Sequence, residues 1–133
     1  MIPLTWFTVI LLIGCICLMA SRLNLTRASH DLRRQEEAEA KGLKLLIENL
    51  TAEQIQQYDR FGYFDVVGSK TGKRYRIRHG TSRNVNELLE ENRLGSGRCF
   101  MPRGNLVAGD CMLAQKIMLE NREEEVLRLA SRF

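Results

Sequence analysis

Apolar and polar residues alternate along this chain in three different rhythms. From Ile2 to Ala20, IPLTWFTVILLIGCICLMA, no residue is charged, which is close to the ~20 residues a helix needs to cross a ~30 Å hydrocarbon core. The run predicts a transmembrane anchor over residues 1–21. A cleaved signal peptide would carry basic residues before the apolar run and a small-x-small site after it. Here only Met1 precedes the run and CLMASRL closes it. Pro3 falls in the first turn, where it removes no needed donor, and Trp6 and Phe7 suit the interfacial end.

The rhythm then becomes helical. Ser29 is placed to cap a helix with Asp31 in its first turn, and strong helix formers follow to Leu50. Leu32, Leu43, Leu46, Ile47 and Leu50 form an apolar stripe that is dense only in its second half. Residues 22–50 therefore read as a helical stalk whose far end docks on the domain, a short coiled coil between two copies being the competing use. Thr51 and Gln54 stand at capping-box spacing and start a short helix that ends near Gly62, with Ile55 and Tyr58 facing inward.

From Tyr63 the period shortens to two. YFDVVGS and KRYRIRH are β-branched and aromatic runs around Gly68 and Gly72, which predicts a hairpin. Its second arm sends Tyr75 and Ile77 to the core and Arg74, Arg76 and Arg78 to the opposite face. NVNELLE and RCFMP read as a third and a fourth strand around a turn at RLGSG, with Val85, Leu88, Cys99 and Met101 in the core. Asp110 is placed to cap a last helix from Cys111 to about Ser131. In it Leu113, Ile117, Val126, Leu129 and Ala130 pack while ENREEE faces solvent. The expected fold is α+β: a transmembrane helix, a helical stalk, and over residues 51–133 a small antiparallel sheet of three or four strands packed by one or two helices.

Length and charge narrow this picture. The chain has 133 residues, room for one small domain besides the anchor. Its 20 Lys and Arg against 16 Asp and Glu are only mildly basic, so an argument for an anionic partner rests on where the charges sit. Lys70, Lys73, Arg74, Arg76, Arg78 and Arg83 follow one another with no acid between Ser69 and Arg83. They form the candidate binding face. Arg22, Arg27, Arg33 and Arg34 follow the apolar run and no cation precedes it, which predicts an outside N-terminus and a cytoplasmic domain. Cys99 and Cys111 lack CxxC spacing and read as free thiols of a reducing compartment. LIGC, Leu12 to Cys15, resembles a lipoprotein cleavage box that would place the domain outside. The missing basic segment and the apolar residues beyond Cys15 argue against it.

LTAEQ, FDVVGS, TGKRYRIRHG, NVNEL, CFMP and GDCMLAQKIMLE together resemble a family of small uncharacterised proteins encoded by bacteria and phages. The resemblance covers Leu50 to Phe133. It implies a self-contained module, here joined to an added membrane anchor, and it implies no activity or cofactor.

The basic strand has several uses. It can dock an acidic protein surface, contact anionic lipid headgroups, track a nucleic-acid backbone, or be neutralised within the sheet by Asp65, Glu87 or Glu90. Against nucleic acid, alternation puts Tyr75 on the face opposite the arginines, where it cannot stack a base beside them. His79, Cys99 and Cys111 are the one assembly that offers metal or thiol chemistry, without the spacing of a known zinc module. Cys111 near a helix start would have a lowered thiol pKa. His79 is the only general base suggested for the folded part, and no paired carboxylates, phosphate loop or GxSxG accompanies it. The expected function is thus a non-catalytic interaction module on a membrane anchor, an accessory subunit or adaptor of a membrane complex without metal or cofactor. The alternatives are a tethered nucleic-acid binder and a thiol or metal protein.

Overall fold

The computed structural model describes residues 4–104 and 106–132. Pro3 and the side chains of Trp6 and Phe7 lie outside what is described. The chain forms two compact units, Met1–Glu37 and Ala38–Phe133.

Helix α1 spans Leu4–Glu48. In the first unit it is unbroken, so no second helix starts at Ser29. The Ser29 hydroxyl instead donates back to the Thr26 carbonyl at 2.9 Å, the bond a serine makes inside a helix. Among the described residues this is the one helix long and apolar enough to cross a membrane, with a mean hydropathy of 1.3 over its apolar window and none of that window buried.

The second unit is α+β. Beside the last turns of α1 it contains α2 (Ala52–Phe61), β1 (Tyr63–Val67), β2 (Arg74–Arg78), β3 (Val85–Leu88), β4 (Leu94–Cys99), α3 (Ala108–Leu129) and the two-residue β5 (Ser131–Arg132). The strands form an antiparallel meander in the order β1-β2-β3-β4-β5. Leu46 and Leu50 are buried in the core as the stripe predicted, while Leu32 and Leu43 are exposed.

Thr51 is the N-cap of α2 and the capping box closes in both directions: the Thr51 hydroxyl accepts from the Gln54 amide, and the Gln54 side chain accepts from the Thr51 amide. Gln54 also donates to the Asp65 carbonyl at 2.8 Å, and the Asp65 amide donates to Gln57 at 2.9 Å. These glutamines occupy the outer hydrogen-bonding groups of β1, an edge that would otherwise offer itself to another strand.

The core-facing alternation of the hairpin holds: Phe64, Val66, Tyr75 and Ile77 are buried against α3. Three expectations for the later elements do not hold. RLGSG is not a turn, because Leu94 to Gly97 already belong to β4. The chain reverses one step earlier, through a 3-10 turn at Glu90–Asn92 in which Glu91 and Asn92 take left-handed φ of 58°. Phe100 fills the core in place of Met101, which is 50% exposed. Helix α3 starts at Ala108 with Val107 as N-cap and no side-chain cap, so Asp110 lies inside its first turn. That earlier start places Gly109 directly on Gly42 of α1. A Cβ on Gly109 would collide with the Gly42 carbonyl, so only glycine permits the two backbones to approach this closely.

The acidic run of α3 departs furthest from expectation. Ile117 and Leu129 are exposed, whereas Glu123 is fully buried. α3 breaks at Arg122 (φ −140°, ψ 46°), and Ser69 of the hairpin turn occupies the break. The Ser69 amide donates to the Leu119 carbonyl at 3.1 Å, and the Glu123 amide donates to the Ser69 hydroxyl at 3.4 Å. The two groups that would have bonded each other in a continuous helix are thus both satisfied by one serine, the kind of insertion that bends helices.

Candidate functional site

In the hairpin register, Tyr63 faces Arg78, Asp65 faces Arg76 and Val67 faces Arg74. On β3, Asn86 faces Arg76. These residues share the side of the sheet opposite the core, where Asn86 is nonetheless buried.

The basic run does not stay together on this face. Lys70 in the turn bonds Glu124 of α3. Lys73 pairs with Glu87 at 2.6 Å, and Glu87 is the cross-strand partner of the buried Tyr75, not of an arginine. The two lysines are therefore drawn to the α3 side. Asp65, whose side chain is only 7% exposed, accepts from Arg74 at 3.0 Å and from Arg76 at 2.8 and 3.1 Å. Arg74 also donates to Asn92 at 2.9 Å. The hydrogen bond to Asp65 raises the pKa of Arg76 further. Of the expected pairings of the arginines, the one with Asp65 is present; Glu87 pairs with Lys73 instead, and among the described residues no arginine of the run pairs with Glu90.

Arg78 and Arg83 differ. Arg78 donates from Nε to the Arg83 carbonyl at 3.1 Å, and among the described residues neither guanidinium pairs with a carboxylate. Arg83 adopts a left-handed φ of 47°, and its side chain lies over Gly97, which has no side chain to displace it. The Arg83 side chain thus lies over β4, while Arg78 marks the Tyr63 end of the face.

At that end stand two aromatic rings that the alternation of β2 does not reveal. Gly62 caps α2 in the left-handed region, φ 71°, and this reversal brings Phe61 and Tyr63 to one side. Their rings stack with centroids 5.3 Å apart and planes 9° from parallel. The Arg76 guanidinium lies 3.8 Å from the Tyr63 centroid, and Arg60 lies 5.1 Å from that of Phe61. Phe61 is 54% exposed. Tyr75 is buried as predicted, but it is not the aromatic residue that matters to this face. A register counted outward from Gly68 and Gly72 would pair Tyr63 with Ile77; the Gly68 amide bonds the Lys73 carbonyl instead, and that one-residue shift sets Tyr63 opposite Arg78.

His79 is exposed, Cys99 is half-buried with its thiol donating to the Thr81 carbonyl at 2.7 Å, and Cys111 is buried. Among the described residues no three His, Cys, Asp or Glu side chains are grouped to hold a metal ion. Burial, with Cys99 nearby, pushes the Cys111 thiol pKa up, not down. Cys111 lies past the first residues of α3, its amide already bonded to the Val107 carbonyl at 3.0 Å, so it does not face the free N–H groups that lower thiol pKa values. No protein-family model, curated protein or solved structure matches the chain.

Proposed function

We propose that this chain is a single-span membrane protein, N-terminus outside, whose cytoplasmic α+β unit is a non-catalytic interaction module serving a membrane complex as accessory subunit or adaptor. The sheet face opposite the core is its contact surface. The observation that carries this reading is the residual charge: Arg78 and Arg83 have no carboxylate partner among the described residues, beside a half-exposed aromatic ring. Exposed aromatic and arginine side chains are the residue types that dominate contact energies. The anchor is supported by the charge-free run and by the arginines that follow it. Tethering raises the effective concentration of such a module for a neighbour without any new contact.

The test is a photo-cross-linking residue at Arg78 compared with one at the exposed Ile117 of α3, each in the full chain in its native membrane. Adducts at Arg78 and none at Ile117 support the reading. Equal labelling at both positions, or none at either, overturns it.

A further inference from the structure

The end of the face around Tyr63 has features that a general protein contact does not require. Among the described residues, Arg78, Arg60 (which lies over the Phe61 ring) and, across the sheet over Gly97, Arg83 have no carboxylate partner; all three are arginines, while the lysines of the basic run are tied down elsewhere. A guanidinium forms paired hydrogen bonds to phosphate oxygens and lies flat on rings, whereas an ammonium acts as a point charge. The ring beside them, Phe61, is 54% exposed and already belongs to a stack with Tyr63. Arg60 and Phe61 end α2, and the other residues belong to the sheet and to the segment between β2 and β3. Unneutralised arginines beside an exposed ring on an open sheet are the combination by which single strands are held, phosphates on the cations and bases on the aromatic plane.

We propose that the sheet face opposite the core, at Phe61, Tyr63, Arg78 and Arg83 with Arg60, binds single-stranded nucleic acid, the phosphates contacting the guanidiniums and a base taking the outer face of Phe61 in place of Arg60, which lies over it in the free chain. This rests on the reading of that face as the contact surface and names its partner. Arg74 and Arg76 share the single carboxylate of Asp65, which offsets one of their two charges and fixes both side chains in the platform. The basic run contributes through its C-terminal end, not through its lysines.

The experiment uses the full chain in nanodiscs of neutral phosphatidylcholine, titrated with fluorescent oligothymidylate and oligouridylate across a salt series. Binding should weaken linearly in log–log form, with a slope near −0.7 per phosphate engaged. Replacing Arg60, Arg78 and Arg83 together with Ser should flatten that slope and weaken binding at least about tenfold. Phe61→Ala should weaken binding about 5- to 100-fold with the slope unchanged, because stacking is not a counterion effect. Lys70→Ser with Lys73→Ser should change affinity less than about twofold, both being paired. Thermal melting of each variant confirms that the domain is folded. No binding at low salt overturns the proposal. So does competition by polyglutamate as effective as by oligonucleotide with Phe61→Ala silent, which would identify an acidic protein surface. Binding only to phosphatidylserine vesicles overturns it in favour of lipid. In all three cases an adduct confined to Arg78 in the cross-linking experiment would leave the contact-surface reading standing.

Discussion

The phenol of Tyr75 donates to the carboxylate of Glu123 at 2.7 Å, joining the centre of β2 to the break in α3. The same carboxylate accepts from the Lys70 and Thr71 amides, each at 2.8 Å, and from the Thr71 hydroxyl. A Cβ on Gly68 would run into it. One acidic side chain therefore takes up the donors of Lys70 and Thr71 at the tip of the hairpin turn, and the turn closes around it.

Removing this acceptor strands several buried donors at once. Glu123→Ala should cost about 3 kcal/mol or more, since an unsatisfied buried polar group costs about 1–3 kcal/mol. Tyr75→Phe loses one bond and should cost about 1–2 kcal/mol. The double mutant should fall short of the sum, because each variant removes the same Tyr75–Glu123 bond. Denaturation of the chain in detergent, followed by hydrogen exchange in residues 64–77, gives the comparison. Strict additivity would show that the bond does not couple hairpin and helix.

The same pair predicts a pH profile. Burial by itself would push the Glu123 carboxyl up; the hydrogen bonds from Thr71, Tyr75 and Lys70 outweigh it and lower the pKa from 4.5 to about 2. The folded state thus holds the ionised form, so this stability, about 3 kcal/mol, is present above about pH 5 and is lost as pH falls towards 2. Burial, then the bond to Glu123, pushes Tyr75 from 10.0 up to about 12. Here the neutral form is favoured, so stability is full below pH 10 and declines as pH rises towards 12. Melting temperatures should drop on both sides, and Glu123→Gln should remove the acid-side slope that Glu123 contributes.

Gly109 and Gly42 should respond differently to alanine. A methyl group on Gly109 meets the backbone of Gly42 and Leu43, which no rotamer change can relieve, whereas one on Gly42 meets first the Val107 side chain. Gly109→Ala should cost about 3 kcal/mol, the upper range of overpacking, and Gly42→Ala about 1 kcal/mol. Equal effects in a urea titration would mean that the two helices adjust by sliding.

Asp65→Asn releases Arg74 and Arg76 together. Its carboxylate is nearly buried and accepts three bonds from the two guanidiniums, so a loss of about 2 kcal/mol is expected from hydrogen bonds to charged groups. The same variant raises the uncompensated charge of the open face and should tighten oligonucleotide binding at low salt while steepening its salt dependence. Weaker binding without unfolding would indicate that the ligand does not use this face.

Topology is tested by reporter fusions. A reporter active only outside the cytoplasm should be silent at the C-terminus and active at the N-terminus, following the arginines after the apolar run. The reverse pattern would place the module outside.

What this chain's sequence determined by itself was what depends on neighbours a few residues apart. The apolar length of α1, the capping box of Thr51 and Gln54, the hairpin around Gly68 and Gly72, and the inward set of Phe64, Val66, Tyr75 and Ile77 all follow from local periodicity or turn chemistry, which acts over one turn or one pleat. Of the candidate site, the arginines of β2 were legible for the same reason, whereas the pairing of Tyr63 with Arg78 needed the register that the folded hairpin sets. What the tertiary structure decided depends on segments far apart in the chain. Glu123 reads as a solvated acid until Ser69 to Thr71 close on it, Gly109 as an ordinary helix residue until Gly42 lies against it, and the basic run as one patch until Asp65, Glu87 and Glu124 pair with its first four cations. A charge has no fixed meaning along a sequence, because its energy is set by the groups that surround it, and only the fold brings those groups together.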